Sequence, residues 1–155
     1  MKPANIVNLD INKCREIGQI CACYKVRKAA RVITKLYDEA LRPINLRVTQ
    51  LSLLMTIRIL ETVTVVRLAQ AAVIDRTTLT RNIQLLEKRG LIKINPGEDR
   101  REREITLTAD GVEALAAAIP FWEEAQNRIR QELGEEKMHN LLDDLSEMIS
   151  LAKKK

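Results

Sequence analysis

Thr77, Thr80, Arg81, Gln84 and Lys88 fall on one side of a predicted helix, and none of them is large and apolar. Leu79, Ile83 and Leu86, spaced i, i+4 and i+7, take the opposite side toward a core, because each residue turns a helix by about 100°. The outward set is short, hydrogen-bonding and cationic. It suits a helix lying in the major groove of duplex DNA, where arginine reads guanine, glutamine reads adenine and threonine meets base edges or phosphates. A second group, Asp99, Arg100 and Arg101, sits between two segments of strand character. An arginine projecting from such a loop can enter a narrow, electronegative minor groove while an adjacent carboxylate holds its guanidinium in place.

Cys14, Cys21 and Cys23 are the candidates for covalent chemistry. An odd count argues against a disulfide scaffold. If Cys14 and Cys21 share one helix they face nearly the same way but lie about 10.5 Å apart along its axis, and Cys23 faces nearly the opposite side. A disulfide needs alpha carbons within roughly 7 Å, so a bridge calls for a partner subunit, an unwound N-terminus or a small thiol. The spacing Cys-x6-Cys-x-Cys matches no common zinc pattern, and the sole histidine, His139, is distant and expected on a helix surface. Packing as small apolar fillers comes first among the readings of these cysteines, ahead of thiol sensing and of metal or iron–sulfur ligation. No cofactor is expected.

The elements that position the first two groups follow from pattern and capping. Val65, Val66, Leu68, Ala69 and Ala72 recur at helical spacing and form a supporting helix. Ala72, Val73 and Ile74 connect it to the second helix, whose first amides Asp75 can cap, so that helix begins at Arg76. Gly90 supplies the left-handed position that ends it, and Leu91, Ile92 and Ile94 open a strand. Pro96 and Gly97 turn the chain, and residues 103–108 return with Ile105 and Leu107 alternating with polar residues. Residues 97–102 are then a hairpin tip.

With these parts in this order the chain resembles the MarR family of bacterial transcription regulators, from about Cys21 to the C-terminus. Leu68-Ala69, Arg76-Thr77-Thr78-Leu79-Thr80-Arg81, Leu86-Glu87-Lys88-Arg89-Gly90-Leu91-Ile92, Asp99-Arg100-Arg101, Leu107-Thr108 and Gly111 carry the resemblance. It implies a winged helix-turn-helix, mainly α with a small β-hairpin wing, joined to a helical dimerisation lobe. It adds Arg76 and Thr78 to the DNA-contacting set and places Asp99 and Arg101 at the wing's Asp-x-Arg positions, where the arginine meets the minor groove. Val73-Ile74 departs from the family's more polar or glycine-containing connector. In the organic-hydroperoxide-sensing OhrR branch a cysteine early in the first helix is the sensor. Gln19-Ile20-Cys21 falls in a similar place, with Tyr24 and Tyr37 as phenolic neighbours. Many relatives instead bind a small phenolic or anionic effector between the lobes, and Arg42, Arg47 and Trp122 lie in segments that could border such a cleft.

At 155 residues and 46% hydrophobic content the chain supports a single domain with two lobes. Residues 13–46 and 109–152 are expected to form the dimerisation lobe and residues 48–108 the DNA-binding lobe. A long helix over residues 13–41 ends before Pro43, and a largely apolar helix over residues 49–61 lies at the centre. Thr108 caps a helix over residues 109–133, which Pro120 can kink. From Glu135, Met138, Leu141, Leu142, Leu145, Met148, Ile149 and Ala152 form one apolar stripe, longer than a small wing domain needs. That stripe and the first helix suit a homodimer, and a two-fold axis would set two reading helices about 34 to 36 Å apart on an inverted repeat.

The net charge of +5 favours a polyanionic partner. A basic run of Lys25, Arg27, Lys28, Arg31 and Lys35 on the first helix reads equally as a solvated face or a phosphate contact. Aromatic residues, 3% of the chain, are too few for the stacking platforms of single-strand and RNA binders. No secretory signal or membrane span is visible, so a cytoplasmic, nucleoid-associated protein is expected. An enzyme is not. There is no Cys-x-x-Cys, no glycine-rich phosphate loop and a single histidine. A repressor released by a small ligand or by cysteine oxidation is the leading reading, and a winged-helix module that binds protein rather than a specific DNA sequence is the alternative.

Overall fold

A helix break at Cys21 is the first departure from the expected plan. In the computed structural model, which describes residues 10–97 and 102–151, the long first helix is two: α1 (Ile11–Ile20) and α2 (Ala22–Ala40). Cys21 between them is extended, with φ −69° and ψ 109°. Gly18, a poor helix former, weakens the last turn of α1, and the Cys21 sulfur accepts the Tyr24 N–H at 3.5 Å, capping the new helix. The axial separation expected for Cys14 and Cys21 therefore does not apply, because it presupposed an unbroken helix. Asp10 caps α1, its carboxylate accepting the Asn12 N–H at 2.8 Å.

The chain divides into two units, Met1–Leu36 and Tyr37–Lys155. The second begins with the end of α2 and a 3-10 turn at Arg42–Ile44, followed by α3 (Val48–Leu60), β1 (Val63–Thr64), α4 (Val65–Ala72) and α5 (Arg76–Lys88). Then come β2 (Ile92–Pro96), β3 (Arg103–Leu107), α6 (Ala109–Leu133) and α7 (Glu135–Ser150). Leu54 and Ile57 of α3, Leu68 of α4, Leu79 and Leu86 of α5 and Ile105 of β3 are all fully buried and belong to one core. Each such aliphatic side chain contributes about 1.5–3 kcal/mol by leaving water. The expectation of a central α3 holds on that face, while its Met55 and Ile59 remain exposed.

The sheet has three strands in the order β1-β3-β2, one more than the expected hairpin. Val63 pairs with Ile105 and Thr64 with Glu104, so β1 covers the edge of β3 that β2 leaves open. Thr64 then caps α4, accepting the Arg67 N–H at 3.3 Å. Across the hairpin Ile92 pairs with Leu107, Ile94 with Ile105 and Pro96 with Arg103. Pro96 sits at the end of an edge strand, where its missing N–H costs no ladder bond.

Helix α6 has the expected bounds, with Pro120 inside it and the Thr108 hydroxyl accepting the Gly111 N–H at 3.0 Å. Thr108 also donates to the Gly90 carbonyl at 2.5 Å, which ties the start of α6 to the end of α5. Gly111 fits against the Leu91 backbone, whose carbonyl oxygen would lie 1.9 Å from any Cβ at that position. No helix among the described residues is long and apolar enough to cross a membrane.

Candidate nucleic-acid interface

The local chemistry of α5 begins at its cap. The Asp75 carboxylate accepts the Thr78 N–H at 2.9 Å, and the Thr78 hydroxyl and backbone N–H hold its pKa below the ordinary carboxylate value. The negative charge faces the positive end of the helix dipole. Leu79, Ile83 and Leu86 are buried, and Arg76, Thr77, Thr78, Thr80, Arg81, Gln84 and Lys88 are all exposed. Their availability differs. Thr80 donates its hydroxyl hydrogen to the Arg76 carbonyl at 2.7 Å, so outward it offers a methyl and an acceptor. Thr78 presents its carbonyl to Asn82 at 2.9 Å. Arg76, Arg81, Gln84 and Lys88 make no side-chain hydrogen bond or ion pair with any described residue.

Arg89 belongs to the scaffold instead. Its Nη1 donates to the Asn45 carbonyl at 2.8 Å and lies 3.4 Å from Gln50 Oε1, which anchors the end of α5 to the start of α3. Gly90, at φ 73°, then takes the left-handed position expected of it. Val73, which ends α4, is also left-handed, at φ 50° and ψ 47°, a conformation uncommon for a β-branched residue. On α4 itself, Leu68 is buried, but Val66 and Ala72 of the expected apolar side are exposed.

The Gly97 N–H donates to the Glu102 carbonyl at 2.9 Å and closes the base of the hairpin loop. Asp99, Arg100 and Arg101 lie outside the described residues. A cleft of about 280 Å³ separates α5 from the hairpin, with Arg76, Thr80 and Gln84 on one wall and Glu102 and Arg103 on the other. Arg103 was not singled out from sequence as a contact. Its signal was its place as the first residue of the returning strand, paired with Pro96 across the hairpin.

The residues considered for an effector are dispersed among other tasks. Arg47 Nη1 is 3.1 Å from Asp38 Oδ2, and the other oxygen of Asp38 accepts the Val48 N–H at 2.8 Å, so this pair fixes the start of α3. Arg42 and Trp122 are exposed. Tyr37 is buried, donates to Gln126 Oε1, and has its pKa raised by that burial, whereas Tyr24 is exposed. Packing as core fillers does not describe the cysteines within this chain. Cys14 and Cys23 are exposed and Cys21 is half-buried at the helix junction, all three as free thiols. They are not gathered into a metal-binding group among the described residues. His139 is exposed and lies 3.4 Å from Asp143 on the same helix.

A supporting helix, a short turn, a capped second helix with an unengaged polar face and a hairpin beside it define a winged helix-turn-helix. Residues 44–102 match the model of the MarR family. The M. tuberculosis transcriptional regulator MosR, solved in complex with DNA, is 37% identical, with a TM-score of 0.78 over 86% of this chain and 96% of that one. The chain belongs to the MarR family. The uncharacterized HTH-type transcriptional regulator YwoH of Bacillus subtilis is 31% identical over 87 residues, 56% of this chain. The transcriptional regulator HosA of Escherichia coli O127:H6 is 31% identical over 86 residues. The chain spans 64% of the length of each of these two relatives. A MarR variant from E. coli complexed with operator DNA shares the fold, with a TM-score of 0.77 at 20% identity.

Proposed function

We propose that the chain is a dimeric, sequence-specific regulator of transcription that binds duplex DNA through α5 and the hairpin, and that it represses until a small ligand or cysteine oxidation releases it. The observation that carries this reading is the run of unengaged side chains Arg76, Arg81, Gln84 and Lys88 on the exposed side of α5, of which Arg76 and Gln84 share a narrow cleft with Arg103. Glu87 and Glu102 line the same cleft, so the charge offered to a phosphate backbone is that of the outward Arg76, Arg81, Lys88 and Arg103 side chains, while α5 reaches base edges. The 37% identity to a regulator solved with DNA supports the same reading. Residues 13–46 and 109–152 would form the dimerisation lobe and residues 48–108 the reading lobe, in a cytoplasmic protein acting on the nucleoid.

Selection from random duplex DNA, followed by titration across salt concentrations, tests the proposal. An inverted repeat with half-sites one helical turn apart is expected, with affinity falling steeply as salt rises. Arg81→Ala weakens binding to the selected site by about 1 to 3 kcal/mol. Binding that ignores salt and selects no sequence would instead identify a protein-binding module. Repeating the titration with verified oxidation of Cys14, Cys21 and Cys23 tests release, and unchanged affinity removes the redox switch.

A further inference from the structure

The end of α5 far from its Asp75 cap is held by hydrogen bonds as well as by apolar contact. Arg89 Nη1 donates to the Asn45 carbonyl at 2.8 Å and to Gln50 Oε1 at 3.4 Å. Gln50 Oε1 also accepts the Arg47 N–H at 3.1 Å, and the Arg47 guanidinium pairs with Asp38 near the end of α2. One polar chain thus runs from α5 through the start of α3 to α2. On the other side the Thr108 hydroxyl holds the Gly90 carbonyl from the start of α6. Leu79, Ile83 and Leu86 bury the inner side of α5, but apolar burial is non-directional and fixes the depth of a helix better than its tilt. Hydrogen bonds are directional and fix tilt.

Tilt matters because α5 is long. It has 13 residues, so its N-terminal end lies about 20 Å from Arg89, and a tilt of about 10° moves that end by about 3.4 Å, one base-pair step. A two-fold axis doubles the error. We propose that Arg89 is a positioning residue, which ties α5 to Asn45 and Gln50 and so sets the half-site separation that a dimer reads. An exposed arginine just past the reading helix would otherwise pass for a phosphate contact, but its Nη1 is shared between two acceptors of the chain itself. The spacing half of the proposal rests on the dimeric, DNA-reading role given above. The tie does not.

Pulsed electron paramagnetic resonance tests the tie without DNA. Spin labels at Thr77→Cys and Glu113→Cys, in a chain carrying Cys14→Ser, Cys21→Ser and Cys23→Ser and diluted with unlabelled protein, report the distance from the far end of α5 to α6 within one chain. Arg89→Met keeps the stem and removes every donor, and should at least double the width of that distance distribution. Arg89→Lys keeps the charge without the planar fork and should fall between. In DNA titrations the unlabelled, otherwise unsubstituted protein should lose at least tenfold in affinity when one base pair is added between the selected half-sites, and Arg89→Met should reduce that loss to about threefold. The salt slope should not change, whereas removal of a phosphate contact would lower it by about one. Equal widths in Arg89→Met, Arg89→Lys and the parent overturn the tie, and Arg89→Lys alone decides the matter should Arg89→Met fail to fold. A salt slope lowered by about one with spacing discrimination kept makes Arg89 a phosphate contact and overturns the proposal. Broadening in a protein that selects no DNA would sink the regulator reading and leave the tie standing. Broadening with spacing discrimination intact would sink the link to half-site separation.

Discussion

Helix α5 buries Leu79, Ile83 and Leu86 under its neighbours, whereas α7 carries a longer apolar stripe and buries only Met138 among its described side chains. Leu142, Met148 and Ile149 of that stripe are 42% to 55% exposed, and α1 buries no residue at all. Both α5 and α7 are amphipathic, but only α5 finds the complement of its apolar side inside the chain. The core around α5 is therefore set by folding, whereas the stripe of α7 is left exposed, the kind of apolar patch that marks interaction sites. The polar sides differ in the same sense. That of α5 is short and cationic with four unengaged side chains, while α7 pairs His139 with Asp143 along its own surface.

The largest effect should come from the buried side of this comparison. Leu86→Ala removes a fully buried side chain and is expected to cost about 3 kcal/mol of folding free energy, as core truncations do, read by urea denaturation at any protein concentration. Leu142→Glu on α7 should keep the helical circular dichroism spectrum and shift the sedimenting species from dimer to monomer. If both substitutions unfolded the chain alike, the contrast between the two helices would be lost.

Gly111→Ala comes next. A methyl there would overlap the Leu91 carbonyl carbon and oxygen, and neither can swing aside as a side chain could. The start of α6 must then move away from the α5–β2 junction, which Thr108 otherwise joins to Gly90. A loss of about 2 kcal/mol is expected, in the range of overpacked sites, with the melting temperature falling by several degrees. A melting temperature equal to that of the unsubstituted protein would show that this contact is slack.

What could be read from the sequence follows the same division. Capping and periodicity located α5 and α6, because Asp75, Gly90 and Thr108 each do by local chemistry what their residue types favour. Strand β1 was illegible. Two residues cannot show a period of two, and Val63 and Thr64 are strand only because β3 lies beside them. The break at Cys21 was hidden for another reason: no proline marks it, and the sulfur cap that favours it is a weak acceptor. The cysteines read as core fillers because residue type alone predicts burial, while the helices carrying them have almost no buried positions. Which side chains of α5 face outward was legible residue by residue, and Arg103 needed the hairpin to bring it into one cleft with Gln84.

Asp75 supplies a smaller effect with a defined pH dependence. Its folded pKa lies below the ordinary 3.8, so the charged cap stabilises the fold above that value, and the contribution is lost as pH falls through the lower folded pKa. Asp75→Asn keeps a capping oxygen but not the charge. The melting temperature of the unsubstituted protein should therefore exceed that of the variant at pH 6, and the two should converge as pH falls from ~3.8 through the lower folded pKa, where the folded carboxylate takes up its proton. A constant difference across that range would mean that the charge contributes nothing to the start of α5.

Val73 carries the smallest expected effect and the opposite sign. It holds the turn between α4 and α5 in the left-handed region at φ 50°, exposed to solvent, where a β-branched side chain has no packing to offset the conformation. A left-handed residue other than glycine costs about 1–2 kcal/mol, and glycine's greater freedom in the unfolded chain returns about 0.5–1 kcal/mol of that. Val73→Gly should thus stabilise the fold by about 0.5 kcal/mol, detectable as a rise in the denaturation midpoint with no change in slope. A midpoint equal to or below that of the unsubstituted protein would show that Val73 holds the left-handed turn at no cost to the fold.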